Sequence, residues 1–210
     1  MIRFMMLAIS LLFLGSCRLA YNFHEVDPGQ IYRSAQPTYE ELVTAHEVFG
    51  IKTVLNLRGE RPGEGWYEEE MQAIEDTGMS IITIGMSASR LPHKEDLEVL
   101  LDALENAERP ILIHCKAGAD RTGEAVAIYM MEYMGKSKRE ALREALSFRT
   151  LHLEWAKPAK KHFIRSWEGL DWAYNIYDPC DYEDRYYSHD DYCTGSGVLV
   201  RKALTEDEDT

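Results

Sequence analysis

A chain of 210 residues is long enough for one ordinary domain with a real core and short for two. Its 45% hydrophobic and 28% charged residues give the balance of a folded soluble protein. A net charge of −13 argues against nucleic acid or an anionic membrane surface as a broad electrostatic partner, while leaving room for a small, locally positive phosphate pocket.

The first residues stand apart from the fold. Arg3 precedes an apolar run over 4–14, and Leu14-Gly15-Ser16-Cys17 follows. A basic start, a short apolar run and small residues before a cut describe a secretory signal, and the run is too short to span a bilayer comfortably. Leu-Gly-Ser-Cys resembles the bacterial lipobox, which implies a lipid on Cys17, cleavage after residue 16 and attachment to a membrane. Arg18, where an Asp would suggest inner-membrane retention, favours the outer membrane, with the domain in the periplasm or at the cell surface. The expected division is 1–17 signal, 18–176 catalytic domain, and 177–210 an acidic, Tyr-rich loop and tail.

Residues 30–33 read as a short strand and 34–37 as a turn. Thr38 is a candidate cap for a helix with Leu42, Ala45 and Phe49 at helical spacing and Gly50 as its stop. A β-branched run over 51–57 predicts a buried strand. A Gly/Pro-rich connection over 58–65 leads to a polar helix over 67–77 that stops at Gly78, and then to a second strand over 80–84. After a loop over 85–92, leucines 97, 100, 101 and 104 mark a helix over 94–107, and 110–114 is a third core strand. Helices are predicted over 122–134, 138–146 and about 158–174. Strands alternating with helices predict an α/β fold with a central, mainly parallel sheet flanked by helices.

The chemistry concentrates between the third strand and the helix after it. The segment reads His114-Cys115-Lys116-Ala117-Gly118-Ala119-Asp120-Arg121-Thr122-Gly123. A strand-to-helix turn presents unpaired backbone N–H groups and a helix dipole to an anion. Five residues lie between Cys115 and Arg121, three of them Ala or Gly, so the chain can wrap a tetrahedral oxyanion. The same amides and Arg121 favour a thiolate at Cys115, and the guanidinium suits bidentate phosphate binding. Thr122 can donate to the sulfur as a leaving group, and His114 fits loop fixation better than base catalysis.

This motif resembles the signature of the protein tyrosine and dual-specificity phosphatases. The resemblance spans roughly residues 31–148 and implies a phosphocysteine intermediate at Cys115, phosphate held by Arg121 and the loop from His114 to Gly123, and neither metal nor cofactor. The short chain before the motif favours the dual-specificity class. The implied substrate is a phosphorylated protein, with an inositol phosphate or phosphoinositide as the alternative and a non-catalytic phosphate binder as a third reading.

One departure concerns the general acid. The family usually supplies an Asp from the loop after the preceding strand, yet residues 85–92 hold no carboxylate. Asp120 is the replacement, similar to the in-loop Asp of myotubularin and Sac-type phosphoinositide phosphatases. It equally fits a role bracing Arg121 or facing solvent, with Glu95 and Asp96 as fallback donors. Cys-Lys-Ala-Gly resembles the loop of phosphoinositide 3-phosphatases, in which Lys116 either faces additional phosphates or faces solvent.

The remaining cysteines, Cys180 and Cys193, are expected to form a disulfide in an exported protein. The aspartates around them lack the spacing of a calcium loop and predict a solvated loop. Trp155, Trp167, Trp172 and Tyr174 are expected in the core, and His152 and His162 are too scattered for a metal site.

Overall fold

Four runs of apolar residues lie side by side as parallel strands in a computed structural model that describes residues 22–193. The expected lipobox, with Cys17, and the acidic tail over 202–210 lie outside the described residues. In chain order the strands are β1 (His24–Asp27), β2 (Ile31–Ser34), β3 (Thr53–Asn56), β4 (Ser80–Thr83) and β5 (Ile111–His114). The helices are α1 (Tyr39–Phe49), α2 (Gly65–Thr77), α3 (Lys94–Asn106), α4 (Asp120–Glu132), α5 (Lys138–Ala145), α6 (Pro158–Ser166), α7 (Leu170–Asn175) and α8 (His189–Tyr192). The sheet order is β1-β2-β5-β3-β4, with β1 alone antiparallel. This is the expected α/β architecture. The polar edge strand β1 carries too weak a period in His-Glu-Val-Asp to be read from sequence.

The two faces of the sheet divide the core. Tyr32, Leu112 and Val54, in register across β2, β5 and β3, pack with Leu42 and Ala45 of α1 and Ala73 and Ile74 of α2. Ile31, Ile111, Ile113 and Leu55 point the other way, into a larger core with α3, α4, α5 and α6. Strand alternation makes that split possible, since successive side chains leave opposite faces. Leu97, Leu100, Leu101 and Leu104 form the buried stripe of α3, and full burial of each stabilises the fold by about 1.5–3 kcal/mol.

Local signals set the boundaries. Thr38 caps α1 in a reciprocal box with Glu41, Ser137 caps α5 with Glu140, and Gly50 and Gly78 end α1 and α2 in the left-handed conformation. The predicted helix over 158–174 is instead two, α6 and α7, separated by Gly169 at φ +104°. The break lets Trp167 and Trp172 meet edge-on, with ring centroids 5.6 Å apart, inside the core. Trp155 and Tyr174, expected to be buried with them, are exposed.

A second correction concerns the Tyr-rich segment, expected to be solvated and separate from the catalytic domain. Cys180 and Cys193 are disulfide-bonded with Cα atoms 5.9 Å apart. Tyr177, Tyr186, Tyr187 and Tyr192 are buried in the same core as α3 and α4. Four aromatic rings in about fifteen residues supply enough apolar area to hold the segment down despite its aspartates.

Candidate active site

Register places Ser34, His114 and Asn56 level at the carboxyl ends of β2, β5 and β3. Chain leaving that edge forms the site, as expected of an open α/β sheet. The loop from Cys115 to Ala119 joins β5 to α4, whose helical turn begins at Asp120, two residues earlier than the sequence suggested. Cys115, Gly118, Ala119, Arg121, Thr122 and Gly123 are buried, Asp120 is partly exposed, and Lys116 and Ala117 are exposed at the loop's tip.

The glycines are there for close approach. Gly118 has φ +66°, and a Cβ on it would lie 2.5 Å from the Ser34 carbonyl oxygen. A Cβ on Gly123 would lie 2.6 Å from Leu146 Cδ2, so α4 and α5 pack backbone to side chain at that point. Both substitutions would move the loop relative to its supports.

Those supports come from distant parts of the chain. Arg33, buried on β2, donates from Nη2 to the Gly118 carbonyl at 2.6 Å and from Nη1 to the Ala145 carbonyl at 2.9 Å. Asn22 Nδ2 donates to the carbonyls of Ala117 and Gly118, each at 3.1 Å, and to Thr150 at 3.3 Å. Turning the loop's carbonyls outward onto these donors leaves its N–H groups to face inward. Behind the nucleophile, His114 Nε2 meets Glu70 Oε1 at 2.6 Å, and Asn56 donates to Glu70 Oε2 at 2.7 Å, all fully buried. Asn56 Oδ1 in turn accepts from the Arg58 amide at 2.7 Å. His114 thus fixes the end of β5 to α2 and β3.

Electrostatics at Cys115 favour the anion. Burial pushes its thiol up, but the Arg121 charge, the Thr122 hydroxyl and the amides of Thr122 and Gly118 outweigh burial and hold it below the ordinary thiol value. Arg121 itself is buried, with Nη1 at 3.5 Å from the Leu57 carbonyl and 3.4 Å from that of Met86. Burial lowers Arg33 to about 10, opposed by the Cys115 thiolate, so two guanidiniums share the field of one sulfur.

Asp120 engages a buried histidine. Its Oδ1 lies 2.7 Å from Nδ1 of His152, a fully buried side chain whose Nε2 has no hydrogen-bond partner. The loop over 85–92, which lacks a carboxylate, is clamped from outside. Leu91 N donates to Tyr186 O, Tyr177 Oη to Pro92 O, Arg90 Nη1 to Asp184 O and Lys160 Nζ to Arg90 O. Glu95 and Asp96 lie in the first turn of α3, Glu95 exposed and Asp96 buried. Among the described residues no group of three or more His, Cys, Asp or Glu is placed to hold a metal ion.

Residues 22–166 match the family model described as a DSP-PTPase phosphatase fused to NAD+ kinase. The chain belongs to this DSP-PTPase family. The matched segment contains the whole Cys115–Arg121 loop and ends before the disulfide-bonded segment. Among curated relatives, inositol diphosphatase SIW14 of Saccharomyces cerevisiae is 34% identical over 110 residues, covering 49% of this chain and 36% of the relative. Dual specificity protein phosphatase TpbA of Pseudomonas aeruginosa is 29% identical over 125 residues, covering 59% of this chain and 52% of TpbA. The chain therefore spans about a third to a half of the length of these relatives. The crystal structure of the SIW14 core catalytic domain in complex with citrate superposes with a TM-score of 0.57 at 29% identity, covering 70% of this chain and 85% of that one. The TpbA crystal structure, at 24% identity, has the same TM-score and shares the fold.

In this DSP-PTPase the predicted loop residues are brought together as one strand-to-helix turn. Sequence reasoning missed Arg33, Asn22, Glu70 and His152. Nothing local marks them, because each reaches the loop across dozens of residues.

Proposed function

We propose that the protein hydrolyses phosphate monoesters through a phosphocysteine intermediate, acting on phosphorylated proteins in the manner of a dual-specificity phosphatase. The observation that carries this reading is the Cys115 sulfur, buried yet held toward its thiolate by Arg121, Thr122 and the loop amides.

The geometry supports a two-step displacement. The phosphoryl oxygens lie in the cradle of loop N–H groups with Arg121 as the charged donor, a preorganised site for the charge of the transition state. Cys115 Sγ attacks phosphorus, a P–S bond forms, and the bond to the leaving oxygen breaks. Asp120, partly exposed at the start of α4 and 2.7 Å from His152 Nδ1, donates the proton that the leaving oxygen takes. Water then attacks phosphorus and loses its proton to Asp120, while the P–S bond breaks to restore the thiolate. His114 and Arg33 position the loop.

A second reading, an inositol phosphate substrate, is favoured by one specific observation. Lys116 is exposed at the tip of the loop, free to reach a phosphate beyond the one at Cys115, and relatives from yeast and rice are inositol diphosphatases. Export and a lipid on Cys17 complete the proposal, supported by the N-terminal pattern and by a disulfide that suits an oxidising compartment.

The test is turnover of p-nitrophenyl phosphate with chelator present, wild type against Cys115→Ser, followed by a phosphotyrosine peptide against a diphosphoinositol polyphosphate. Turnover lost in Cys115→Ser supports the reaction class, and the better second substrate assigns the class of target. A folded wild type that binds phosphate without turnover would leave a binding module instead.

A further inference from the structure

The net charge of −13 conceals a strong asymmetry. Residues 136–165 carry five lysines and four arginines against three glutamates and no aspartate, a local charge of +6. Only Lys160 of these cations is spent inside, paired with Glu124. Glu154 engages Lys161 and Arg165, and Glu144 engages Arg143 and Lys136. Lys138, Arg139, Arg149 and Lys157 have no carboxylate within ion-pair distance among the described residues. Lys138, Arg139, Arg143, Lys161 and Arg165 line a cleft of about 450 Å³ along α5 and α6.

A ridge of apolar side chains rises beside this cleft. Phe148 is 80% exposed, Leu151 58%, Leu153 38% and Trp155 83%, the first and last being the most exposed large apolar side chains described. They are held outward by what lies beneath. Thr150 and His152 alternate with them and are buried, Thr150 Oγ1 donating to the Ala145 carbonyl at 3.0 Å and His152 meeting Asp120. Leu151 is fixed at φ +63°. The ridge is therefore a built projection on the same scaffold as the phosphate loop. A cluster of exposed aromatic and aliphatic groups in a basic surround marks an interaction site.

The first described residue, Asn22, lies against this face. Asn22 Nδ2 donates to the Thr150 carbonyl, and the apolar run over 4–14 and Cys17 lie upstream. Asn22 follows Cys17 by five positions, a reach of at most roughly 18 Å.

We propose that the ridge Phe148–Leu151–Leu153–Trp155 and its basic surround dock on an anionic phospholipid bilayer, apolar side chains at headgroup depth and Lys/Arg on lipid phosphates. The pairing of protruding apolar groups with cations is what an interfacial surface requires. An acidic protein would satisfy the cations, but Asn22, bonded to Thr150 beneath the ridge, follows the apolar run by only a few positions in sequence, which favours lipid. The reading goes beyond the phosphatase proposal and does not depend on turnover. Docking would hold the mouth of the Cys115 loop at a fixed orientation to the membrane, through Asp120, His152 and Thr150.

The full chain, reconstituted by its N-terminal segment into vesicles of phosphatidylcholine with or without about one-third phosphatidylglycerol, tests this with bromine-labelled acyl chains. Trp155 emission is taken as the difference between wild type and Trp155→Phe, which keeps the wild-type thermal midpoint because the site is exposed. The expected result is strong quenching on the anionic vesicles, reduced at least about twofold on neutral ones, in high salt or in Arg139→Glu with Arg149→Glu. Trp155 unquenched by brominated lipid, quenching equal on both vesicles and indifferent to salt, or protection of Trp155 by an acidic phosphopeptide in place of lipid would each overturn the proposal.

Discussion

Around Cys115, burial and charge oppose each other, and the charge wins. Alkylation of Cys115 by iodoacetamide is therefore expected to follow a titration below the ordinary thiol range. Arg121→Ala should move its midpoint up by about one unit or more, since the guanidinium is the largest favourable contribution. An unmoved midpoint would remove Arg121 from the account of the thiolate. The Asp120–His152 contact makes a second prediction. Asp120→Asn should lower kcat by about 10²–10³, read from steady-state turnover of a phosphotyrosine peptide. His152→Gln should lower kcat less and leave KM nearly unchanged, as befits a positioning residue. The nucleophile and phosphate-binding residues were legible because ten consecutive residues carry them. Arg33 and Asn22 were not, since they meet Gly118 across 85 and 96 residues, and a lone arginine in a strand has no period to betray it.

The strands and helices that bear the loop were readable because their apolar periods are strong and their caps local. The failures occurred where packing overrides period. The helix over 158–174 breaks at Gly169, and the Tyr-rich segment folds in because its rings outweigh its carboxylates. That segment clamps the loop over 85–92, so reducing the Cys180–Cys193 bond, or replacing both residues by Ser, should have two effects. Stability should fall by about 3 kcal/mol for a crosslink of sequence separation 13, read from denaturant midpoints. The Leu91 amide, bonded to Tyr186 O, should exchange faster than those of α3. Unchanged exchange at Leu91 would show that the clamp holds without the disulfide. Lys160, which ties the same loop to Glu124, predicts that Lys160→Met costs about 3–5 kcal/mol and that adding Glu124→Leu recovers much of it, because the single change strands a buried carboxylate.

For the molecule as a whole, the buried Glu124–Lys160 pair links stability to pH. Burial pushes Glu124 from 4.5 up to about 7, with Lys160 pulling the other way. The folded state thus keeps a proton that the unfolded chain has lost between those values. Its stabilising contribution is present below 4.5 and is lost as pH rises through about 7. Denaturant midpoints of wild type should accordingly decline across that window relative to Glu124→Gln, and parallel profiles would contradict the linkage. Composition reported one charge for the entire chain, and only the fold showed that residues 136–165 gather a positive face beside the phosphate loop. The central claim is covalent, and it is tested most directly by acid-quenching Asp120→Asn during turnover of p-nitrophenyl phosphate and mapping the trapped species by peptide mass spectrometry. The account predicts one phosphoryl group on Cys115, absent from Cys115→Ser. Turnover that persists in Cys115→Ser with no phosphorylated peptide would contradict it.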